Sequence, residues 1–414
     1  MSNRQDQFLE AANYLGTIIC RDALWAGNRC NWLGPSMDYI GNQWLIVQKA
    51  CGPDLYGGTS GIALFLSHLY AATNEKLFRV VAEGALSHCL SRVDDFHPSI
   101  RSGFYSGCSG IAYTLQNAAE QLGNGGYAAE AFRLLKSLSK DDPNEQGLDV
   151  ISGSAGAIPV LINLHRKHPG DVLLELATKH GEHLLNTARK KAFGWSWNTM
   201  DSPTDLTGFS HGAAGIGWAL LELHVATGED RFRAAAEEAF RYEQHYYDGE
   251  QENWPDFRSL TNEHSAASTS TSCSLTWCHG APGIGLSRLR AYELTGQEHY
   301  RMEAEAAIRA TAKMLSAATH AWTDNFSLCH GLTGNAELLI YASQVLEDTR
   351  HLSLVNTIGE LGIERYRKLK LPWPCGVPGA GESPNLMLGL AGIGHFYLRL
   401  YDSSKPNLPL MVLP

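Results

Sequence analysis

The stretch GAAGIGWALLELH at residues 212–224 sets the pattern for the whole chain. Two glycines stand three residues apart, and the apolar residues that follow recur at helical spacing, as in Ile216, Leu220 and Leu223. The same Gly-x-x-Gly start, followed by an apolar run, occurs seven times, at Gly58, Gly107, Gly153, Gly212, Gly280, Gly331 and Gly389. The sequence therefore predicts seven repeats of one structural unit.

Each repeat is predicted to hold two helices, an apolar one after the glycines and an amphipathic one further on. Four amphipathic segments, rich in Ala, Glu, Arg and Leu, are 79–92, 173–188, 231–244 and 300–316. The irregular spacing of the glycine pairs does not suit an open solenoid of identical units, whereas seven helix pairs can close into a ring. We therefore predict an all-α fold, an α/α toroid (barrel) of seven inner and seven outer helices.

The chain is predicted to be a single domain over 1–414, with an N-terminal helical extension at 1–50 and the seven repeats at 51–414. The glycines themselves are interpreted as packing residues that let helices and loops approach closely. A phosphate-binding loop would need a preceding strand and a Lys-Ser/Thr pair, and the glycine motifs have neither, so they do not indicate nucleotide binding.

The composition argues against several classes of function. The 414 residues are 44% hydrophobic and 18% charged, and acidic residues outnumber basic ones 43 to 33, for a formal net charge of −10. Without a Lys/Arg cluster, neither nucleic acid nor an anionic membrane surface is expected as a partner. A signal peptide and an apolar run of roughly 18 residues are both missing, which predicts a cytoplasmic location and no integral membrane segment.

The residue before each glycine pair distinguishes three consecutive repeats. It is His211, His279 and His330 there, and cysteine precedes the last two, at Cys278 and Cys329. In a ring, equivalent positions converge near the centre, so the two cysteines and one or two of these histidines are expected to meet. Thiolates and imidazole suit zinc, and three protein ligands would leave a fourth position open for water or substrate. The alternative is that these side chains are ordinary core groups.

The other seven of the nine cysteines are interpreted as structural, because they are scattered and have no partner motif. Asp149 lies four residues before Gly153, and Asp54 has the matching place before Gly58. A capping role is favoured for Asp54. For Asp149 both a capping role and a functional role stay open.

The runs WCHGAPG at 277–283 and LCHGLTG at 328–334 resemble the lanthionine synthetase C-like (LanC-like) cyclases. The other five glycine motifs extend the resemblance over most of the chain. Trp32-Leu33-Gly34 and the closing GLAGIGHFYLRL at 389–400 are most similar to the C-terminal cyclase domain of class II lanthipeptide synthetases.

The resemblance implies an α/α toroid with one Zn²⁺ per chain, and it assigns Cys278, Cys329 and His330 as the metal ligands. It also implies a catalytic group. His211 matches the general acid/base of the family, Asp149 matches an acidic residue of its active site, and His279 takes a place often filled by tyrosine.

The activity implied is cyclisation of a dehydrated precursor peptide: a cysteine thiolate adds to dehydroalanine or dehydrobutyrine to form a (methyl)lanthionine thioether ring. Because 414 residues leave no room for a dehydratase region, the chain is expected either to be an isolated cyclase domain or to act with a separate dehydratase as its partner. Two alternatives stay open, a LanC-like protein that adds glutathione to dehydroamino acids and a non-catalytic peptide-binding scaffold. A zinc-dependent prenyltransferase β subunit is disfavoured, because the chain has no basic cluster for a diphosphate.

Overall fold

The computed structural model describes residues 2–258, 273–320 and 325–402 and is an α/α toroid, as the repeats predict. The end of the predicted last repeat, 403–414, lies outside the described residues. In chain order the α-helices of the described ranges are α1 (Ser2–Arg21), α2 (Thr59–Thr73), α3 (Lys76–Leu90), α4 (Cys108–Leu122), α5 (Gly125–Leu138), α6 (Ser154–Lys167), α7 (Asp171–Thr187), α8 (Ala213–Thr227), α9 (Asp230–His245), α10 (Ala281–Thr295), α11 (Glu298–Ala318), α12 (Leu332–Val345), α13 (Leu352–Gly362) and α14 (Leu390–Tyr401).

The even-numbered helices start at the glycine pairs and form the inner ring, and the odd-numbered helices form the outer ring. Inner helices are enclosed on nearly every side, which explains their apolar composition: α8 buries eleven consecutive residues, 213–223. Outer helices are amphipathic. In α9, for example, Phe232 and Phe240 are buried, whereas Arg233 and Glu237 form an exposed ion pair.

The ring is closed by the two ends of the chain. Helix α14 contacts α2 in the inner ring, and its outer partner is α1. The other outer helices pack against the inner helix that precedes them in the chain. The N-terminal helix α1 is therefore the seventh outer helix. The repeat pattern predicts that a seventh outer helix exists but does not indicate which segment forms it.

Only part of the predicted N-terminal helical extension, 1–50, is helical. After α1 the chain forms two antiparallel hairpins, β1 (Leu24–Ala26) with β2 (Arg29–Asn31), and β3 (Leu33–Ile40) with β4 (Gln43–Ala50). The turn between β3 and β4 is Gly41-Asn42, and both residues have positive φ, at 58° and 63°. This two-residue turn matches the twist of paired strands and so favours a hairpin over a helix.

A third hairpin pairs β5 (Arg189–Lys191) with β6 (Gly194–Ser196), between α7 and α8. Among the helices of the described residues, none is long and apolar enough to cross a membrane. All nine cysteines lie in the described ranges, and each is a free thiol.

The loops in front of the seven inner helices are joined in a closed circuit of backbone hydrogen bonds. Each loop donates an N–H to a carbonyl of the next loop around the ring at 2.8–3.3 Å. From donor to acceptor the bonds are Tyr56 to Tyr105, Tyr105 to Ile151, Val150 to Ser210, Ser210 to Cys278, Cys278 to Cys329, Cys329 to Met387 and Met387 to Tyr56. Buried backbone groups of these loops are thereby paired, and one mouth of the toroid has a defined rim.

The second glycine of each pair lies directly on the loop in front of its helix. In all seven repeats, a Cβ at this position would come within 1.6–2.2 Å of the carbonyl oxygen six residues earlier, as Gly110 would with Phe104. Such distances are impossible for a methyl group. The packing role predicted for these glycines is therefore explained by the contact between each loop and the first turn of its helix.

We expect Gly110→Ala to lower the free energy of unfolding by about 2–3 kcal/mol, because the loop that contains Phe104 must move away from α4. Urea unfolding followed by circular dichroism measures the change. Gly125→Ala is the matched control: nothing lies within 4 Å of a Cβ there, so its effect should stay within about 0.5 kcal/mol. Equal effects of the two substitutions would contradict this account of the repeat.

Candidate metal centre and active site

Four neighbouring loops of the hydrogen-bonded circuit carry the candidate site. They precede α6, α8, α10 and α12 and contain Asp149, His211, Cys278 and Cys329. Backbone bonds of 3.1–3.3 Å join each of these loops to the next. Residues that are up to 180 positions apart in the sequence therefore lie side by side on the rim of the toroid.

The structure brings together the three predicted metal ligands. The ligand atoms of Cys278, Cys329 and His330 all lie within 4.8 Å of one another, and the described part of the chain has no second cluster of this kind. Both cysteines are buried and His330 is half-buried. The Nε2 of His330 donates to the carbonyl of Gly376 at 2.9 Å, so Nδ1 keeps the lone pair that a metal ion would bind.

The thiols of Cys278 and Cys329 have different pKa values because they are hydrogen-bonded to each other. The thiol of Cys329 donates to the sulfur of Cys278, and this bond, helped by Thr276 and by the positive charge of Arg258, lowers the pKa of Cys278 to about 6 despite burial. The same bond and burial raise the pKa of Cys329. Burial is also the main cause that raises the pKa of the other seven cysteines. Cys278 is thus the one cysteine held ready to ionise.

Asp256 and Arg258 belong to the site although the sequence analysis did not single them out. Arg258 donates to the Asp256 carboxylate through Nε at 2.9 Å and through Nη2 at 2.6 Å. Burial would raise the pKa of Asp256, but Arg258, His279 and Ser274 together lower it to about 2. Both residues lie between repeats, outside the glycine motif, so no repeat position marks them.

His211 and Asp149 form a hydrogen-bonded pair, with Nδ1 2.5 Å from Oδ2. The carboxylate is buried, and the imidazole is 23% exposed, so the ring lies between the protein interior and the mouth of the toroid. The bond occupies Nδ1, which leaves Nε2 as the ring nitrogen that can face a bound molecule. The hydroxyl of Thr199 donates to the carbonyl of His211 at 2.6 Å and steadies the loop.

Of the two roles left open for Asp149, the structure does not show helix capping, because the N-cap of α6 is Gly153 with no side-chain cap bond. Oδ1 of Asp149 accepts the backbone N–H of Ser152 at 2.8 Å, and its Oδ2 bonds His211. Asp54 and Asn385 make the same turn contact with the residue three positions later, at 2.7 and 2.9 Å. The turn therefore recurs in three repeats, and the bond to histidine is particular to Asp149. The capping role predicted for Asp54 is wrong, because Asp54 closes a loop turn before the N-cap residue Gly58 and no side chain caps α2.

His279 lies behind this pair. Its ring is stacked against that of His211 with the centroids 5.8 Å apart, and the residue is 1% exposed. Burial, followed by the positive charge of Arg258, lowers its pKa to about 3, so the ring is neutral. Its Nδ1 lies 3.9 Å from Oδ1 of Asp256. His279 thus lies between the His211–Asp149 pair and the Asp256–Arg258 ion pair.

Glu243 of the outer helix α9 secures the loop that carries His211. Its Oε1 accepts the backbone N–H of Gly208 at 3.1 Å and that of Ala214 at 2.8 Å, on either side of the histidine. The side chain is fully buried, and burial raises its pKa to about 8. The sequence analysis placed α9 as an outer helix and gave this residue no role, because its partners are backbone groups of a distant loop.

The fold and these side chains define an α/α toroid with a candidate metal centre at its mouth, and comparison with known proteins identifies the family. The family model of lanthionine synthetase C-like proteins matches residues 50–413. The chain therefore belongs to the lanthionine synthetase C-like family.

Individual relatives agree with this family. The chain is 23% identical over 418 residues to the lacticin 481/lactococcin biosynthesis protein LcnDR2 of Lactococcus lactis subsp. lactis, a match that covers 95% of this chain and 41% of LcnDR2. It is 22% identical over 338 residues to the nisin biosynthesis protein NisC of the same organism, covering 75% of this chain and 79% of NisC. The solved structure of nisin cyclase superposes with a TM-score of 0.65 at 16% identity, over 87% of this chain and 92% of that one.

We expect the stability of this protein to carry a pH dependence that originates at Glu243. Its pKa rises from 4.5 to about 8 on folding, so its contribution is complete below pH 4.5 and is lost as the pH rises through 8. Glu243→Gln keeps the acceptor for Gly208 and Ala214 but cannot ionise. Between pH 6 and pH 9, wild type should therefore lose about 2 kcal/mol of unfolding free energy relative to this variant.

Urea unfolding of both proteins at pH 6, 7, 8 and 9 measures this difference. Other titrating groups are common to the two proteins and cancel in the comparison. Parallel pH profiles would show that Glu243 is already ionised in the folded protein at neutral pH.

Proposed function

We propose that this member of the family is a zinc-dependent lanthipeptide cyclase. The observation that carries the proposal is the placement of the Cys278, Cys329 and His330 cluster next to the His211–Asp149 pair, on adjacent loops at one mouth of the toroid. A cluster that holds a thiolate nucleophile and a nearby group that can move protons are the two parts that thioether formation requires. Family membership and the likeness to two lanthipeptide biosynthesis proteins support the same reaction.

Cys278, Cys329 and His330 would hold one Zn²⁺ per chain. Two sulfurs and one imidazole nitrogen are a donor set that zinc favours, and three protein ligands leave the fourth position to the substrate. The bond from Cys329 lowers the pKa of Cys278, whereas Cys329 would have to release its proton when a metal ion binds. When bound, zinc lowers the pKa of a substrate thiol and holds it as a nucleophilic thiolate.

In the proposed reaction a peptide cysteine adds across the C=C bond of a dehydroalanine or dehydrobutyrine in the same peptide. The sulfur bonds to the β-carbon, the π electrons move to the α-carbon and its carbonyl as an enolate, and the α-carbon then takes a proton. The S–H proton lost and the C–H proton gained balance, so the mass does not change. His211 Nε2 would accept the first proton and deliver the second.

The surrounding residues would support His211 in this role. Asp149 holds Nδ1, which directs Nε2 outward and stabilises the protonated imidazole. Arg258, fixed by Asp256, would offset negative charge near the sulfurs and on the enolate. We assign His279 to positioning, because its ring is buried, neutral and stacked behind His211.

The partner in this proposal is a dehydrated precursor peptide. The chain spans about two fifths of the length of LcnDR2, so the other activities of that relative do not transfer to it. A dehydratase activity would have to supply this substrate. The cytoplasmic location expected from the sequence stays a prediction.

We expect wild type to bind about one zinc per chain and Cys278→Ala and Cys329→Ala to lose it, because each removes one of three protein ligands. Elemental analysis of the purified proteins measures the ratio without any substrate. Cys89→Ala is the control, since Cys89 is a buried thiol of the outer helix α3 and should keep the zinc. A folded wild type that binds no zinc would contradict the proposed metal centre.

We expect His211→Asn to keep its zinc and to slow ring formation by about 10²- to 10⁴-fold, the usual contribution of a general acid/base. The substrate is a synthetic peptide with one dehydroalanine and one cysteine. Ring formation is read out as peptide that keeps its mass but can no longer be labelled by a thiol-alkylating reagent. His299→Asn, at an exposed histidine of α11, should cyclise at the wild-type rate. Unchanged rate and stereochemistry in His211→Asn would remove the proton-transfer role.

The same assay with added glutathione separates the two thiol sources. Internal addition leaves the mass unchanged, whereas addition of glutathione increases it by one tripeptide. A glutathione adduct as the main product, with no ring, would replace the cyclase by a dehydroamino-acid glutathione transferase that uses the same residues.

A further inference from the structure

The β3–β4 hairpin presents an aromatic and aliphatic face to solvent. Met37 is paired with Ile46 across the two strands, and Tyr39 with Trp44, so all four side chains share one face. Tyr39 is 61% exposed and Trp44 65%, and their ring centroids are 5.4 Å apart. We call these four residues the hairpin face.

Stability of the fold does not account for the hairpin face. Single exposed apolar side chains are normal, but four contiguous ones on a protruding element mark a contact surface. The sheet has two strands only, so each strand has an outer edge that pairs with no other strand in the described part of the chain. An extended peptide can bind such an edge by backbone hydrogen bonds while its side chains contact the exposed face.

A short loop connects the hairpin face to the candidate metal centre. The loop 376–384 begins at Gly376, whose carbonyl accepts the bond from His330 and whose Cβ position lies 3.1 Å from the His330 ring. Further along, the Cβ position of Gly379 is 3.6 Å from Ile46, a member of the hairpin face. One loop therefore contacts both the hairpin face and a proposed metal ligand.

The surface of this loop suits the passage of a peptide backbone. It reads GVPGAGESP from Gly376 to Pro384, and its middle is exposed at Pro378, Gly379 and Gly381. The side chains are mostly small, and at Gly381 nothing lies within 4 Å of a Cβ position. The two charges of the hairpin, Asp38 and Lys49, pair with each other. The one charged residue of the loop, Glu382, accepts the backbone N–H of Trp373 at 2.9 Å. Recognition on this path is therefore expected to rest mainly on apolar and backbone contacts.

We propose that the hairpin face binds the apolar flank of the dehydrated peptide, in extended conformation, while its cysteine lies at the metal centre. This inference rests on the proposed function and adds to it a subsite for substrate recognition. The hairpin also precedes residue 50, where the match to the family model begins, whereas all the proposed chemical groups lie after it.

The test compares the double variant Tyr39→Ser/Trp44→Ser with wild type. Two synthetic peptides are used, both with one dehydroalanine and one cysteine, and one of them with an added flank of six apolar and aromatic residues. We expect the double variant to raise KM for the flanked peptide about tenfold, to leave its kcat unchanged and to leave both constants unchanged for the short peptide. Met302→Ser is the control, because Met302 is also 65% exposed but lies on the outer helix α11.

Unchanged KM of the double variant for the flanked peptide would overturn the inference while ring formation by wild type still upholds the proposed function. Absence of rings with wild-type, zinc-loaded protein would instead refute the proposed function. Sedimentation velocity gives a further check. A wild-type dimer that the double variant converts to a monomer would show that a second copy of this chain covers the hairpin face, which also overturns the inference.

Discussion

The closed circuit of backbone hydrogen bonds between the seven loops is the constraint on which the rest of the structure depends. Each loop must lie flat on the first turn of its own inner helix to reach its neighbours, and only glycine at the second position of each pair allows that contact. The seven short glycine motifs, far apart in the sequence, thereby form one continuous rim of the toroid. The position before each glycine pair then points to the same mouth of the toroid in every repeat.

The circuit separates stability from chemistry within one short motif. The glycines and the turn contacts of Asp54, Asp149 and Asn385 serve the fold, and they recur where no reaction is proposed. The chemistry depends on which side chains stand beside them: histidine or cysteine in three repeats, and glycine, serine or leucine in the other four. The residue before a glycine pair can therefore differ from one repeat to another while the toroid still forms.

Prediction from the sequence succeeded where the physical signal is local and periodic. Apolar spacing after each glycine pair predicted the inner helices. The repeats placed Cys278 and Cys329 together with one or two of three histidines, among which the family resemblance selected His330. It missed residues whose partners are remote and carry no pattern. Glu243 binds backbone N–H groups 35 and 29 residues earlier in its own repeat, and Arg258, held by Asp256, acts on the sulfur of a loop to which it does not belong.

The sequence by itself determined the number of repeats, the two layers of helices and the residue types available for a metal, because these follow from periodicity and donor chemistry. Only the tertiary structure decided that α1 is the outer partner of α14, that residues 33–50 form a hairpin with an exposed apolar face, and that Asp149 bonds His211. The reason is that these features depend on which distant segments become neighbours when the ring closes. The spacing of residues within one segment does not indicate which distant segments will be its neighbours.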